Sequence, residues 1–216
     1  MMARLLQQID ETNRRDHWYL DEGDDCHYLY EYTAGLGWRG GETNQLIHNL
    51  QKKRGDPGYH YKAPAITRCA NDLSSVLNAE WLAQATIVPV PPSKVKTDPA
   101  YDDRMVQVCR GIRAPTPTDV RELVEQVEST DTFKGGNRKS PAELKQNYRI
   151  AENQLQNLRG IVGIFDDVLT TGSHYKAVKE MILERAPQTR VIGLFVARRA
   201  IPCPFGEVTE DDLLKL

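Results

Sequence analysis

The run Ile161-Val162-Gly163-Ile164-Phe165-Asp166-Asp167-Val168-Leu169-Thr170-Thr171-Gly172-Ser173 constrains the fold of this chain more than any other feature. A short apolar stretch ends in two carboxylates, then in a polar loop with one glycine. Beyond it, Val178, Met181 and Ile182 recur at helical spacing between Tyr175 and Arg185. The order predicts a buried strand, an acidic pair at its carboxyl end, and a loop that opens a helix at about Ser173. Gly172 has no Cβ, so the backbone there can turn tightly and approach an anion. A helix N-terminus offers unpaired N–H groups and a partial positive charge, which together favour phosphate. The loop lacks the spaced glycines and the Lys-Ser/Thr ending of a P-loop, so the expected ligand carries a single terminal phosphate rather than a triphosphate. Adjacent residues on a strand point to opposite faces. At a strand end leading into a loop, however, Asp166 and Asp167 are both expected to turn toward a ligand. Two sugar hydroxyls with Mg²⁺ beside them would satisfy both carboxylates. An isolated Asp-Asp pair more often caps a helix or solvates a loop; here the strand, loop and helix around it favour a sugar phosphate.

A second apolar strand, Ile87 to Val90, is stopped by Pro89, Pro91 and Pro92, which cannot donate to a ladder. Ser93 and Lys94 follow directly. Ligands of open parallel sheets bind outside the carboxyl ends of strands, so Lys94 is expected on the same rim as Asp166. A solvated lysine in a proline-rich turn is the alternative.

The remaining pattern alternates strands and helices, which argues for an α/β fold with a parallel sheet. Strands are expected at Cys26–Thr33, Ile161–Phe165 and Val191–Val196. Helices are expected at Glu42–Lys52, Ala63–Leu77 and Thr209–Leu216. Two helix starts are read from local signals: Thr116-Pro117-Thr118-Asp119, opening a helix through Val127 with proline at its first position, and the capping box Ser140-Pro141-Ala142-Glu143. Met1 to Arg15, with Leu5, Leu6 and Ile9, reads as a short amphipathic helix packing on the core or on a partner. Ser129 to Lys139 is polar, basic and glycine-bearing, the composition of a lid that closes over a reaction.

The length of 216 residues suits one α/β domain. A net charge of −2 argues against a general nucleic-acid binder, although Lys52-Lys53-Arg54 and Lys134 to Lys139 leave a local basic contact open. No apolar stretch approaches the ~20 residues of a membrane span, and Met1 to Arg15 lacks a signal-peptide core. Cys26, Cys69, Cys109 and Cys203 contain no Cys-x-x-Cys pair, so a zinc ribbon is not expected. Scattered thiols of this kind fit the cytosol.

Asp166-Asp167-Val168-Leu169-Thr170-Thr171-Gly172-Ser173 resembles the motif with which type I phosphoribosyltransferases bind 5-phosphoribosyl 1-diphosphate (PRPP), with Ser173 where threonine is commoner. The wider chain resembles the competence protein F-like (ComF-like) branch over about residues 30 to 200. The similar pieces, in the branch's order, are Asn44 to Leu50 with Lys53-Arg54-Gly55-Asp56, Val88-Pro89-Val90-Pro91, Asp103-Arg104-Met105, Ser140 to Glu143 with Asn147, the Asp-Asp loop, and Val196-Ala197-Arg198. The resemblance implies a type I phosphoribosyltransferase-like parallel sheet flanked by helices. Residues 1–35 would form an N-terminal extension or hood, 36–205 the main domain and 206–216 a C-terminal helix. It implies transfer of the phosphoribosyl group from Mg²⁺-bound PRPP to a base or amine acceptor, with release of diphosphate. Asp166, Asp167, Lys94 and Arg104 would serve catalysis. Val168 to Ser173 would bind PRPP together with the two aspartates, Ser93 and Lys94. Asp166 and Asp167 would meet the metal indirectly, through ribose and water, and Lys134, Arg138 and Lys139 would belong to a catalytic flexible loop. Two departures stand out. The zinc module with which such proteins commonly begin is missing, and Arg104-Met105-Val106 replaces the usual Arg-Gly-Phe. Both keep open a non-catalytic sensor or accessory protein of a DNA-related (uptake or defence) assembly. A partner bound through the N-terminal extension and self-association also stay open.

Overall fold

The computed structural model describes residues 5–130 and 139–201. In chain order the elements are β1 (Gln7–Gln8), β2 (Asp25–Thr33), α1 (Glu42–Leu50), α2 (Lys62–Val76), α3 (Ala79–Gln84), β3 (Ala85–Pro89), α4 (Arg104–Arg110), β4 (Asp119–Val120), β5 (Val124–Gln126), α5 (Pro141–Lys145), β6 (Tyr148–Ile150), β7 (Ile161–Leu169), α6 (Ser173–Arg185) and β8 (Arg190–Ala200). Six strands form one sheet in the order β1-β2-β8-β7-β3-β4. All neighbours in it are parallel except β1, which runs antiparallel to β2. β5 and β6 make a separate antiparallel hairpin. β1 and β2, both within residues 1–35, are strands of the main sheet.

Every residue of β3 and the stretch Val191–Ala197 of β8 are buried. Strands buried on both faces need mostly apolar side chains, and these sequences supply them; the one buried polar residue of β3, Thr86, has a hydrogen-bond partner in Asp119. One face packs Phe165, Ile87 and Leu194 under Leu46, Ile47 and Leu50 of α1, Leu73 of α2 and Val108 of α4. The other packs Val162, Ile164 and Phe195 against Val178 and Ile182 of α6, with Leu144 of α5. α5 opens with the expected capping box: Ser140 Oγ accepts from Glu143 N–H, and the Glu143 carboxylate accepts from Ser140 N–H at 2.8 Å.

Three expectations are corrected. First, β7 does not stop at Phe165; it pairs with β8 as far as Leu169 opposite Arg198, so Asp166 and Asp167 lie within the strand. Second, Thr116–Val127 is not a helix. Val120 pairs beside Ile87 on the sheet edge, and Val124 enters the hairpin. Leu123 and Val124 are 0% and 2% exposed, and burying such side chains contributes roughly 1.5–3 kcal/mol each. Helix propensity differs by less than about 1 kcal/mol per residue, so burial wins. Thr86 Oγ1 and Arg121 also donate to Asp119, and Arg121 Nη1 donates to Gln154 O and Gln156 O, which fixes the extended path. Third, residues 5–15 form no α-helix. Gln7 and Gln8 pair with β2, Ile9 N–H donates to Cys26 O at 2.8 Å with its side chain buried, and the chain then turns into a single 3-10 turn at Arg14–Asp16. The helix expected at Thr209–Leu216, together with Lys134, Arg138 and Cys203, lies outside the described residues.

The topology places a crevice. From β7 the chain passes through α6 to β8 on one side, whereas from β3 it leads toward β4 on the other. The segments leaving β7 and β3 therefore diverge at their carboxyl ends. Such a switch point is where open α/β sheets bind ligands.

Candidate functional site

β3 ends at Pro89, opposite Phe165 of β7. The next β7 residues, Asp166 and Asp167, project past that end at the switch point. Strand alternation persists through them. Phe165 belongs to the core under α1–α4 and Ile164 to the core under α6. Asp167 follows the Phe165 side and Asp166 the Ile164 side.

Asp167 is held by two helices. Its Oδ2 accepts from Arg104 Nη2 at 2.9 Å, Arg104 Nε at 3.2 Å and Gln51 Nε2 at 2.8 Å, and its Oδ1 accepts from Val168 N–H at 2.8 Å. Burial alone would raise this carboxyl, but the Arg104 charge and these hydrogen bonds hold it below the ordinary carboxylate value. Asp166 is in the opposite state. Its Oδ1 accepts from Asp167 N–H at 2.8 Å; burial, reinforced by the neighbouring Asp167 charge, pushes its carboxyl well above the ordinary value. Two adjacent carboxyls with pKa values driven apart at a cleft make a candidate functional site.

Arg104 begins a ladder. Its Nη1 donates to Asp102 Oδ2 at 2.8 Å, and the same oxygen accepts from Lys62 Nζ at 2.8 Å. Lys62, 7% exposed, also donates to Leu50 O at 2.9 Å and Lys52 O at 2.8 Å, where the C-terminus of α1 favours a cation. Burial depresses the Lys62 amine, an effect that Asp102 partly offsets. Lys62, Asp102, Arg104 and Asp167 thus tie the ends of α1, α2 and α4 to β7.

The loop Thr170–Ser173 is shaped from behind by residues 16–24. His17, fully buried, brings Nδ1 to 2.6 Å from Thr170 O, and Tyr19 N–H donates to Thr171 O at 2.8 Å. Gly172 adopts φ +83°, and a Cβ there would stand 2.8 Å from Leu20 Cδ2, so only glycine fits. Asp21 and Asp24 accept from Lys176, and Asp24 also from Lys179, pinning the strap to α6. The first helical bond of α6 runs from Lys176 N–H to Gly172 O. The N–H groups before it have no acceptor within the helix. Thr171 Oγ1 donates to Ser173 Oγ at 3.3 Å.

Ser93 and Lys94 follow the end of β3. Ser93 O accepts from Thr130 N–H at 2.8 Å, and Lys94 lines a cleft of about 270 Å³ with Lys96, Glu122, Glu125 and Arg149. Residues 166–173 do not line that cleft, so Lys94 faces the β5–β6 hairpin. The hairpin's open end is closed by Asn147, whose side chain bonds Glu128 N–H and Glu128 O at 2.9 Å each. The Ser140 hydroxyl and N–H bonds lower the Glu143 carboxyl, and Lys139, next to the α5 cap, adds a smaller push in the same direction. His174 brings Nδ1 to 2.7 Å from Tyr148 Oη, and Tyr175 is buried beside Phe195.

Sequence reasoning missed Gln51, Lys62, Asp102 and His17. Asp102 carried a signal, as the acid two residues before Arg104; the other three carried none. No group of three or more His, Cys, Asp or Glu side chains able to cage a metal occurs among the described residues. No helix there is long and apolar enough to cross a membrane. No family model matches the chain, and no curated protein matches it.

Proposed function

We propose that this protein binds PRPP and transfers its phosphoribosyl group to a base or amine acceptor, on a type I phosphoribosyltransferase-like scaffold. One observation carries the reading. Asp166, Asp167 and the loop Thr170–Ser173 that opens α6 stand together at the switch point between β7 and β3.

On this reading the N–H groups of the loop and of the first turn of α6 hold the 5-phosphate, with the Thr170, Thr171 and Ser173 hydroxyls. Asp166 accepts from one ribose hydroxyl, and Asp167, which leaves β7 toward the opposite face, accepts from the other in competition with Arg104 and Gln51. Transfer breaks the bond from C1 to diphosphate, whose oxygen leaves with the electron pair, and forms the bond from C1 to the acceptor. Positive charge builds on the sugar in between. The fixed negative charge of the buried Asp167 carboxylate stabilises that charge without covalent chemistry. Arg104 keeps Asp167 ionised for this role. Asp166 and Asp167 would hold a hydrated Mg²⁺ only indirectly, through ribose hydroxyls and water, which suits this donor set better than a caged ion. When bound, the ion neutralises diphosphate charge.

A second reading, PRPP binding without turnover, is favoured by one feature. Asp167 Oδ2 already accepts three hydrogen bonds, so a ribose hydroxyl must compete for it. Diphosphate release separates the two readings. The purified chain is incubated with PRPP, Mg²⁺ and a panel of bases and amines. Release that needs an acceptor and disappears in Asp166→Asn supports the transferase; PRPP binding without release supports the sensor.

A further inference from the structure

Beside the ladder lies a cleft of about 600 Å³, walled by the end of α1, the start of α2 and the loop before α4. This volume suits a small organic ligand. Its lining has a definite chemistry. Lys53 and Arg54 stand at the exposed lip, Tyr59 and Tyr101 supply rings, and Asp102 and Asp103 supply carboxylates. Cations hold an acidic group, tyrosine faces stack on a planar ring, and carboxylates accept from ring N–H groups. The cleft also touches the site described above. Its wall residue Asp102 accepts from Arg104 Nη1 at 2.8 Å, and Arg104 Nη2 donates to Asp167 at 2.9 Å.

We propose that this cleft is a second ligand site, taking a planar heteroaromatic ring that bears a carboxylate or phosphate, and that this ligand is the acceptor. The acceptor role rests on the PRPP reading; the binding site does not. In the transfer, a ring nitrogen's electron pair forms the bond to C1 and the diphosphate oxygen leaves with the pair from the broken bond. A pyridine-type nitrogen keeps the resulting positive charge as an N-substituted cation, and an amino-substituted ring sheds it by passing an amino proton to solvent.

The test titrates the intact protein separately with AMP, pyridine-3-carboxylate, inorganic phosphate and PRPP. The expected result is saturable binding of AMP or the pyridine acid, weakened at least tenfold in Lys53→Ala/Arg54→Ala and in Tyr101→Leu. Circular dichroism checks that both variants fold; Lys53 and Arg54 are exposed. AMP alone or the acid alone supports the site and tells phosphate from carboxylate. The site is overturned if neither probe binds, if the variants bind as well as the parent, or if inorganic phosphate binds as tightly as AMP. PRPP binding without probe binding sinks the cleft alone. Probe binding without PRPP binding supports the cleft and sinks its acceptor role.

Discussion

Arg104 Nη2 and Nε both donate to Asp167 Oδ2, at 2.9 and 3.2 Å, joining the first residue of α4 to the acidic pair of β7 across 63 positions of chain. The bond does two things. It keeps one carboxylate of the pair ionised beside its raised neighbour, and it fastens the segment before α4 to the central strand. Removing the arginine strands a charge that is only 9% exposed. Breaking a buried pair from one side typically costs ~3–5 kcal/mol. Arg104→Ala is therefore expected to lose about 3 kcal/mol in urea unfolding. Asp167→Asn should lose less, because Arg104 keeps Asp102 as its anion.

Asp166 is expected to cost stability where it serves function. A carboxyl raised by the fold keeps its proton longer when folded than when unfolded. Stability therefore falls as pH rises from the unfolded value, about 3.9, toward the folded one. Asp166→Asn removes that penalty. Thermal unfolding from pH 4 to 8 should find the variant increasingly more stable than the parent as pH rises, while its PRPP affinity falls. A variant less stable at every pH would contradict the raised carboxyl.

His17 titrates with the opposite sign. Burial depresses its ring, a shift that the bond to Thr170 O opposes. The unfolded chain then binds a proton more readily than the folded one, and stability is lost as pH drops below about 6.5. In His17→Asn, whose amide can still donate to Thr170 O, the loss of stability between about pH 6.5 and 5 should be shallower. Equilibrium urea unfolding at several pH values measures it.

Gly172→Ala should be destabilised by more than about 1 kcal/mol, because φ +83° and the Leu20 contact at 2.8 Å both oppose a Cβ. Adding Leu20→Ala relieves the contact but not the dihedral strain, so it should restore only part of the gap to a Leu20→Ala single variant in a thermal unfolding series.

The parts of the molecule legible in the sequence are those specified locally. Ile161–Ser173 declares a strand, a loop and a helix through its own order of residues. Ser140-Pro141-Ala142-Glu143 is a complete cap within four positions, and α1 and α2 follow from their apolar spacing. Contacts between distant segments decided the rest. Gln51 reaches Asp167 over 116 positions, and His17 reaches Thr170 over 153. The start signal at Thr116–Asp119 was overridden because Leu123 and Val124 bury in the core and Asp119 binds Thr86 and Arg121. Leu5, Leu6 and Ile9 follow β2 instead of a helical path, since Ile9 finds its backbone acceptor in Cys26. Asp166 and Asp167 diverge because the ladder to β8 continues through them, which no local residue announces.

Isothermal titration calorimetry with PRPP and Mg²⁺, on the parent protein and on Asp166→Asn/Asp167→Asn, tests the central claim most directly. The account predicts saturable micromolar binding by the parent and loss of that binding in the double variant, with both proteins folded by circular dichroism. Absence of binding by the folded parent, or equal binding by the variant, would contradict a sugar-phosphate site at the carboxyl end of β7.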